Sequence, residues 1–127
     1  MARILRDQGR DHEALAWSKT AEDATSADDL LIQALWRSVR APILARQGRH
    51  AEATEMSAHA VEMLRDAETP SLRADVLLEH ATVLGLAGQA AEAQSHLRVA
   101  LALYVAKGNV VGAQRARALE RALAPAG

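Results

Sequence analysis

Residues 41–53, APILARQGRHAEA, carry the clearest signal in the chain, because a closely similar sequence, ATVLGLAGQAAEA, returns at residues 81–93. Among the residues that recur 40 positions later, Ala41, Leu44, Gly48, Glu52 and Ala53 correspond to Ala81, Leu84, Gly88, Glu92 and Ala93. A truncated earlier copy lies 39 positions before the first, at Gly9, Glu13 and Ala14. Self-similarity at this period is typical of stacked helix-turn-helix units. The sequence therefore predicts an all-α helical repeat.

Each copy predicts two antiparallel helices joined by a tight turn. The first helix ends at Gly48 or Gly88, where a left-handed backbone carries no Cβ penalty, and the second begins within a few residues. Ala53 and Ala93 fall in the first turn of the second helix. Small side chains at these positions allow the two helices of a pair to approach closely.

Composition narrows the classes of protein that the chain can belong to. Its 127 residues suit one domain. Fifteen basic and sixteen acidic side chains give a net charge of −1. A net charge this small provides no strong overall attraction to nucleic acid or to an anionic membrane. The chain has no Cys, which excludes disulfides and thiolate metal sites and favours a cytoplasmic location. No apolar run reaches the roughly 18 residues that a membrane span requires.

Periodicity and turn signals divide this single domain into about three helical hairpins and a closing helix. The predicted units are an incomplete first repeat at 1–24, a second repeat at 27–67, a third repeat at 70–107 and a capping helix at 109–123. In the second repeat, the helices are expected at about 27–47 and 50–67. In the third, the first helix is expected to begin at Pro70, with Thr69 as its cap, and to end at Gly88, and the second spans about 89–107.

Several local signals refine these units. Gly9 is expected to end a first helix of two turns, with a second helix from about Asp11 to Ala24. Ser26-Ala27 predicts a helix start near Ala27, and Pro42 predicts a bend near residues 38–41. The last helix has an apolar stripe, which is expected to pack on the preceding hairpin and consists of Val111, Ala118, Leu119, Ala122 and Leu123.

The two copies resemble the tetratricopeptide repeat, whose pattern has a small residue in the first helix, Gly seven residues later and Ala five residues after that. Residues 33–41, 44–49 and 100–109 also look like the C-terminal tetratricopeptide region of large actinobacterial signalling proteins, which carry a nucleotide cyclase or a regulatory ATPase upstream. This resemblance covers about residues 28–123. It implies a solenoid that serves as a non-catalytic arm and docks a partner. Pro42 and Glu79-His80 depart from the pattern.

Arg37, Arg40 and Arg46 are the predicted partner-binding residues. The first two share one helical face, and Trp36 lies four residues before Arg40, so its ring can stack on that guanidinium. Such a cluster suits a carboxylate-rich partner or a phosphate. The alternative is that these side chains pair with acidic residues on adjacent helices and pack by their aliphatic stems.

The short start of the chain raises a second hypothesis. A two-turn helix before Gly9 would leave apolar surface uncovered around Leu15 and Trp17, which suggests self-association there or coverage by preceding repeats of a longer parent chain. The alternative is a natural start with a frayed end.

The sequence offers no signal for catalysis, cofactor binding or metal binding. The five His residues form no His-x-x-x-His pair, and His80 and His96 fall on predicted packing faces. Glu79 adjoins His80, yet adjacent helical residues face different directions. We find no nucleophile, phosphate loop or paired-carboxylate motif.

Two main functional hypotheses follow. The first is an interaction or scaffolding module that accepts a peptide or helix from a protein partner or from its parent chain. The second is a homo-oligomerisation element that forms a homodimer. A pocket for a small effector is a third, weaker option.

Overall fold

The computed structural model describes residues 2–26 and 28–123, with side chains from Arg10 onward. These residues form six α-helices and no β-strand, which confirms the all-α prediction. The helices are α1 (Ala2–Ala24), α2 (Leu30–Arg46), α3 (His50–Met63), α4 (Pro70–Leu86), α5 (Ala90–Lys107) and α6 (Val110–Leu123). None of these helices combines the length and apolar character needed to cross a bilayer.

The predicted glycine turns are present. Gly48 and Gly88 have φ angles of 85° and 83°, which only glycine adopts without strain. Just after each glycine, a backbone N–H donates to the carbonyl oxygen of Leu44 (3.0 Å) or Leu84 (2.8 Å). Gly108, with φ of 70°, ends α5 in the same way. These hydrogen bonds satisfy carbonyls that a helix end leaves unpaired.

The 40-residue repeat extends from the turns to the buried positions. The buried residues of α3 and of the turn that follows it recur in α5: Ala53, Ser57, Ala60 and Leu64 correspond to Ala93, Leu97, Ala100 and Tyr104. The pattern of buried and exposed positions in the two helices therefore repeats at the same offset as the sequence. Glu52 and Glu55, which lie on the opposite face of α3 from these buried residues, are exposed.

Each helix contacts the next along the chain, and α4 also contacts α2 and α6. The core is built from alanines at the helix crossings and a few large side chains, including Leu84, Leu97 and Tyr104. Burying a Leu side chain stabilises the fold by about 1.5–3 kcal/mol. Because many crossings use alanine, the helices approach closely and a large side chain at such a crossing has little room.

The predicted turn at Gly9 is wrong, because α1 continues through this residue from Ala2 to Ala24. Residues 2–24 therefore form one helix and not a helical pair. A separate two-turn helix would need its own packing partner to be stable. A glycine inside a helix costs only about 1 kcal/mol relative to alanine, so a continuous helix is the smaller penalty.

Two other boundaries differ from the predictions. Helix α2 begins at Leu30 rather than near Ala27, which lies outside the described residues, and its N-cap is Asp29, whose carboxylate accepts a hydrogen bond from the Ile32 N–H at 3.3 Å. Helix α3 ends at Met63 instead of Ala67 because the next residues form i→i−3 hydrogen bonds that tighten the chain into a turn.

Helix α2 continues through Pro42, and the bend predicted there stays a prediction. At the start of α6, the Asn109 side chain caps the helix by accepting a hydrogen bond from the Gly112 N–H at 2.9 Å.

The predicted apolar stripe of α6 is partly wrong. Leu119 and Leu123 are half-buried, but Val111, Ala118 and Ala122 are exposed. The buried residues of this helix are Gly112, Ala113 and Ala116. The physical reason is the Tyr104 ring, which lies directly against Gly112. Only a helix face made of small residues fits against this ring.

Candidate functional site

An open groove of about 390 Å³ lies between α1, α2, α4 and α6. Apolar side chains of α2 form part of its surface: Leu35, Val39, Pro42 and Ile43. Three basic and three acidic residues also line it: Arg10, Arg46, Arg115, Asp11, Asp75 and Glu79. The groove therefore combines apolar surface with charges of both signs.

Two ion pairs link the helices around this groove. The Arg46 guanidinium donates from Nε to Asp11 Oδ2 (3.0 Å) and from Nη2 to Asp11 Oδ1 (2.6 Å), which joins α1 to α2. Arg115 Nη2 donates to Glu79 Oε1 at 3.2 Å, which joins α4 to α6. Solvent-exposed pairs of this kind contribute only about 0–1 kcal/mol. Their main effect is to orient charged side chains at the groove.

The α4 side of the groove carries two carboxylates one helical turn apart. Burial raises the pKa of Glu79, and the neighbouring Arg115 opposes this shift. Asp75 accepts a hydrogen bond of 2.5 Å from the Tyr104 hydroxyl, and burial raises the pKa of that hydroxyl. The two carboxylates are therefore held by different partners, one an arginine and the other a buried tyrosine. They can accept hydrogen bonds from a molecule in the groove.

Arg37 and Arg40 lie together, as the sequence predicted, and both guanidinium groups cover the Trp36 ring. Their Cζ atoms are 4.2 Å and 4.5 Å from the ring centroid. The sequence predicted stacking for Arg40 alone. Arg37 also donates to the Gln33 carbonyl at 3.0 Å, and burial lowers its pKa. Trp36 itself is buried.

The contacts of Arg40 and Arg46 favour the structural alternative for the arginine cluster. Arg40 Nε donates to the Ser18 hydroxyl and its Nη2 to Glu22, both at 3.0 Å. Arg46 does not join this cluster but lies at the end of α2, paired with Asp11 in the groove. Both residues therefore attach α1 to α2.

Trp17 and Leu15 occupy the outer part of α1. Trp17 is 46% exposed, whereas Leu15 is half-buried. On the same helix, Ser18 is fully buried and its hydroxyl donates to the Leu15 carbonyl at 2.7 Å. Helix α1 therefore packs on α2 through Ser18 and leaves the Trp17 ring largely accessible.

His80 is buried between helices and not in the groove. Its Nδ1 lies 2.6 Å from the Ser57 hydroxyl, and its ring centroid is 4.7 Å from that of His96. Burial, with a smaller contribution from His96, lowers the pKa of His80 to about 4. His80 is therefore neutral at pH 7 and has a packing role, as predicted. Within the described residues, no three potential metal ligands cluster together.

Sequence reasoning missed the groove residues of α4 and α6. It set Glu79 aside because its neighbour His80 faces elsewhere, and the two side chains do point to different partners. The available signal was the i,i+4 spacing of Asp75 and Glu79, which places two carboxylates on one helical face. Arg115, 36 positions from Glu79, shows no comparable local signal.

The fold and groove define an all-α protein of the helical-repeat type. Comparison of the chain with protein families, curated proteins and solved structures gives no match.

Proposed function

We propose that this chain is a non-catalytic protein–protein interaction module, organised as a tetratricopeptide-like solenoid, and that the groove between α1, α2, α4 and α6 accepts an extended peptide or a helix. The observation that carries this proposal is the groove itself, where apolar side chains of α2 lie beside carboxylates and guanidinium groups from three other helices. Protein partners are recognised by this combination of apolar contact and oriented polar groups.

The solenoid is supported by two observations. Buried positions repeat at an offset of 40 residues in α3 and α5, and α4 contacts both α2 and α6 as well as its sequence neighbours. A stack in which each unit contacts the next produces this pattern. In such a stack, the groove follows the first helix of successive units.

The groove favours a peptide over a small effector. Sites for small molecules usually enclose most of the ligand surface. This groove is open and is lined by residues of four helices, so it would enclose a bound molecule only in part. The charged pairs at Arg46 and Arg115 then select for polar groups along the peptide.

The resemblance to actinobacterial signalling proteins extends the proposal to a cellular role. We infer that the chain serves as the C-terminal regulatory arm of a larger signalling or transcription-regulatory protein in the cytoplasm. This inference rests on the residues shared with that class, which include Gly48 and Gly108.

A groove variant and a matched control test the proposal. Val39→Lys introduces a charge into the apolar part of the groove, whereas Val99→Lys introduces the same charge at a 46% exposed position of α5 outside it. Proteins captured from cell extract by the wild-type chain are identified and purified, and their affinities for both variants are then measured by calorimetry. We expect Val39→Lys to lose binding and Val99→Lys to keep it. Equal binding by both variants would place the partner outside the groove.

Homo-oligomerisation is the second candidate function, because Trp17 is a large apolar side chain that is 46% exposed. Light scattering during size-exclusion chromatography measures the oligomeric state directly. If Trp17 lies at a dimer contact, Trp17→Glu converts the dimer to a monomer while helicity is kept. A wild-type chain that stays monomeric at high concentration would rule out this function.

A further inference from the structure

A second cleft, of about 800 Å³, lies at the end of the α2–α3 pair that is opposite the Gly48 turn. It is formed by the start of α2, the end of α3 and the connection from α3 to α4. It shares no lining residue with the groove between α1, α2, α4 and α6. We refer to it as the acidic cleft.

The charges of the acidic cleft have one sign. Among the described residues that line it, none is basic, and five are exposed carboxylates: Asp28, Asp29, Glu62, Asp66 and Glu68. Asp29 caps α2, and Glu62 pairs with the nearby Arg65 at 3.1 Å. The other three carboxylates form no salt bridge within the described part of the chain. The side chains that line the cleft therefore carry a net negative charge.

The same cleft exposes apolar surface. Leu30 and Leu31, the first two residues of α2, are 51% and 40% exposed, and Met63 and Ala67 line the cleft beside them. The Thr69 hydroxyl also lines it and is buried, with no hydrogen-bond partner among the described residues. Large apolar side chains that are exposed within a polar rim are characteristic of interaction sites.

We propose that the acidic cleft binds a basic, amphipathic segment of a partner protein. Lys or Arg side chains of the segment meet the carboxylates of the rim, and its apolar side chains cover Leu30 and Leu31. Charge complementarity selects this occupant, because a negative rim attracts cationic segments and repels acidic ones. The same rim repels an anionic lipid surface. Because the two sites share no residue, this proposal does not depend on occupancy of the groove.

The probe for this proposal is a fluorescently labelled peptide of Lys and Leu, with the Leu residues spaced to form one face of a helix. A peptide with Glu in place of Lys serves as its control. Binding to the full chain is followed by fluorescence anisotropy at several salt concentrations. The Lys peptide is expected to bind, with an affinity that falls as salt screens the carboxylates. The Glu peptide is expected not to bind.

Charge variants locate the binding site. Asp66→Lys with Glu68→Lys reverses two exposed carboxylates of the cleft, and Asp23→Lys with Glu120→Lys makes the same change in net charge at exposed positions of α1 and α6. An exposed ion pair alters affinity by about twofold to fivefold, so reversing two carboxylates is expected to weaken binding about tenfold. The control pair is expected to change it by less than about twofold.

An apolar variant tests the other half of the cleft. Leu31→Ser removes apolar surface from it, and Val105→Ser removes similar surface from a 56% exposed position of α5. We expect Leu31→Ser to weaken binding of the Lys peptide without changing its salt dependence, and Val105→Ser to leave the affinity unchanged.

Far-UV circular dichroism verifies that each variant is folded. If Asp66→Lys with Glu68→Lys unfolds, the milder pair Asp66→Asn with Glu68→Gln takes its place.

Four results would overturn the proposal. The first is that the Lys peptide does not bind, and the second is that the cleft and control variants weaken its affinity equally. The third is that Asp66→Lys with Glu68→Lys leaves its affinity unchanged. The fourth is that the wild-type chain forms dimers and that this double variant dissociates them. The last result would identify a second copy of the chain as the occupant, with its α6 arginines as the basic segment. None of these outcomes depends on Val39, so failure here is distinguishable from failure of the groove proposal.

Discussion

Two glycine-to-alanine substitutions test whether α6 packs as described. Gly85 lies near the end of α4 and Gly112 near the start of α6, and alanine is intrinsically better than glycine in a helix by up to about 1 kcal/mol. The surroundings of the two residues differ. An added Cβ at Gly112 would overlap three carbons of the Tyr104 ring, whereas at Gly85 it would lie 2.7 Å from one terminal methyl of Leu123.

The expected effects have opposite signs. Tyr104 is completely buried and held by Asp75, so its ring cannot move away without loss of packing. Overpacking of this kind costs about 1–3 kcal/mol, which exceeds the gain in helix propensity, and we expect Gly112→Ala to destabilise the fold by about 1–2 kcal/mol. The Leu123 side chain is half-buried and can rotate. Gly85→Ala is therefore expected to be neutral or to stabilise by up to about 1 kcal/mol.

Urea denaturation, monitored by far-UV circular dichroism, measures both changes in the free energy of unfolding. Thermal unfolding provides an independent check, because a change of 1 kcal/mol shifts the midpoint temperature by roughly 3–5 °C for a chain of this length. Tyr104→Leu supplies a further control, because Leu64 occupies the equivalent position one repeat earlier. In that background the penalty of Gly112→Ala should shrink, which a double-mutant cycle quantifies. If Gly112→Ala stabilised the wild-type chain as much as Gly85→Ala, the described packing of α6 on Tyr104 would be wrong.

Two further predictions concern the repeat register and the buried histidine. Ala53→Leu and Ala93→Leu, at fully buried positions, are each expected to destabilise the fold by about 1–3 kcal/mol in urea titrations. The control substitutions Ala51→Leu and Ala91→Leu, at exposed positions, should each change stability by less than about 0.5 kcal/mol. The pKa of His80 falls from 6.5 in the unfolded chain to about 4 in the fold, so the unfolded state binds more protons between these two pH values. The free energy of unfolding should therefore decline as pH falls from 6.5 to 4, with a slope of at most about 1.4 kcal/mol per pH unit. His80→Gln should flatten this part of the profile, and an unchanged slope would mean that other groups cause it.

The ion pairs around the groove could not be predicted from the sequence. Arg46 was identified as a candidate binding residue from the sequence, yet its partner Asp11 lies 35 positions away and could not be identified from local spacing. The Arg40–Glu22 and Arg115–Glu79 pairs likewise join residues 18 and 36 positions apart. Whether such a charge is solvated or paired depends on which helices pack together, so the groove became visible only in three dimensions.

Two local features of this protein follow from its sequence alone, the glycine turns and the register of the repeat. Only glycine adopts the backbone at Gly48 and Gly88 without strain, and the 40-residue repetition places Ala53 and Ala93 at equivalent crossings. The choice of face on α6 was decided by tertiary structure. Local helix preferences of most residues differ by less than about 1 kcal/mol, and packing contributes more than that. The side chain that faces α6, Tyr104, therefore selects small residues for contact and leaves Val111 exposed.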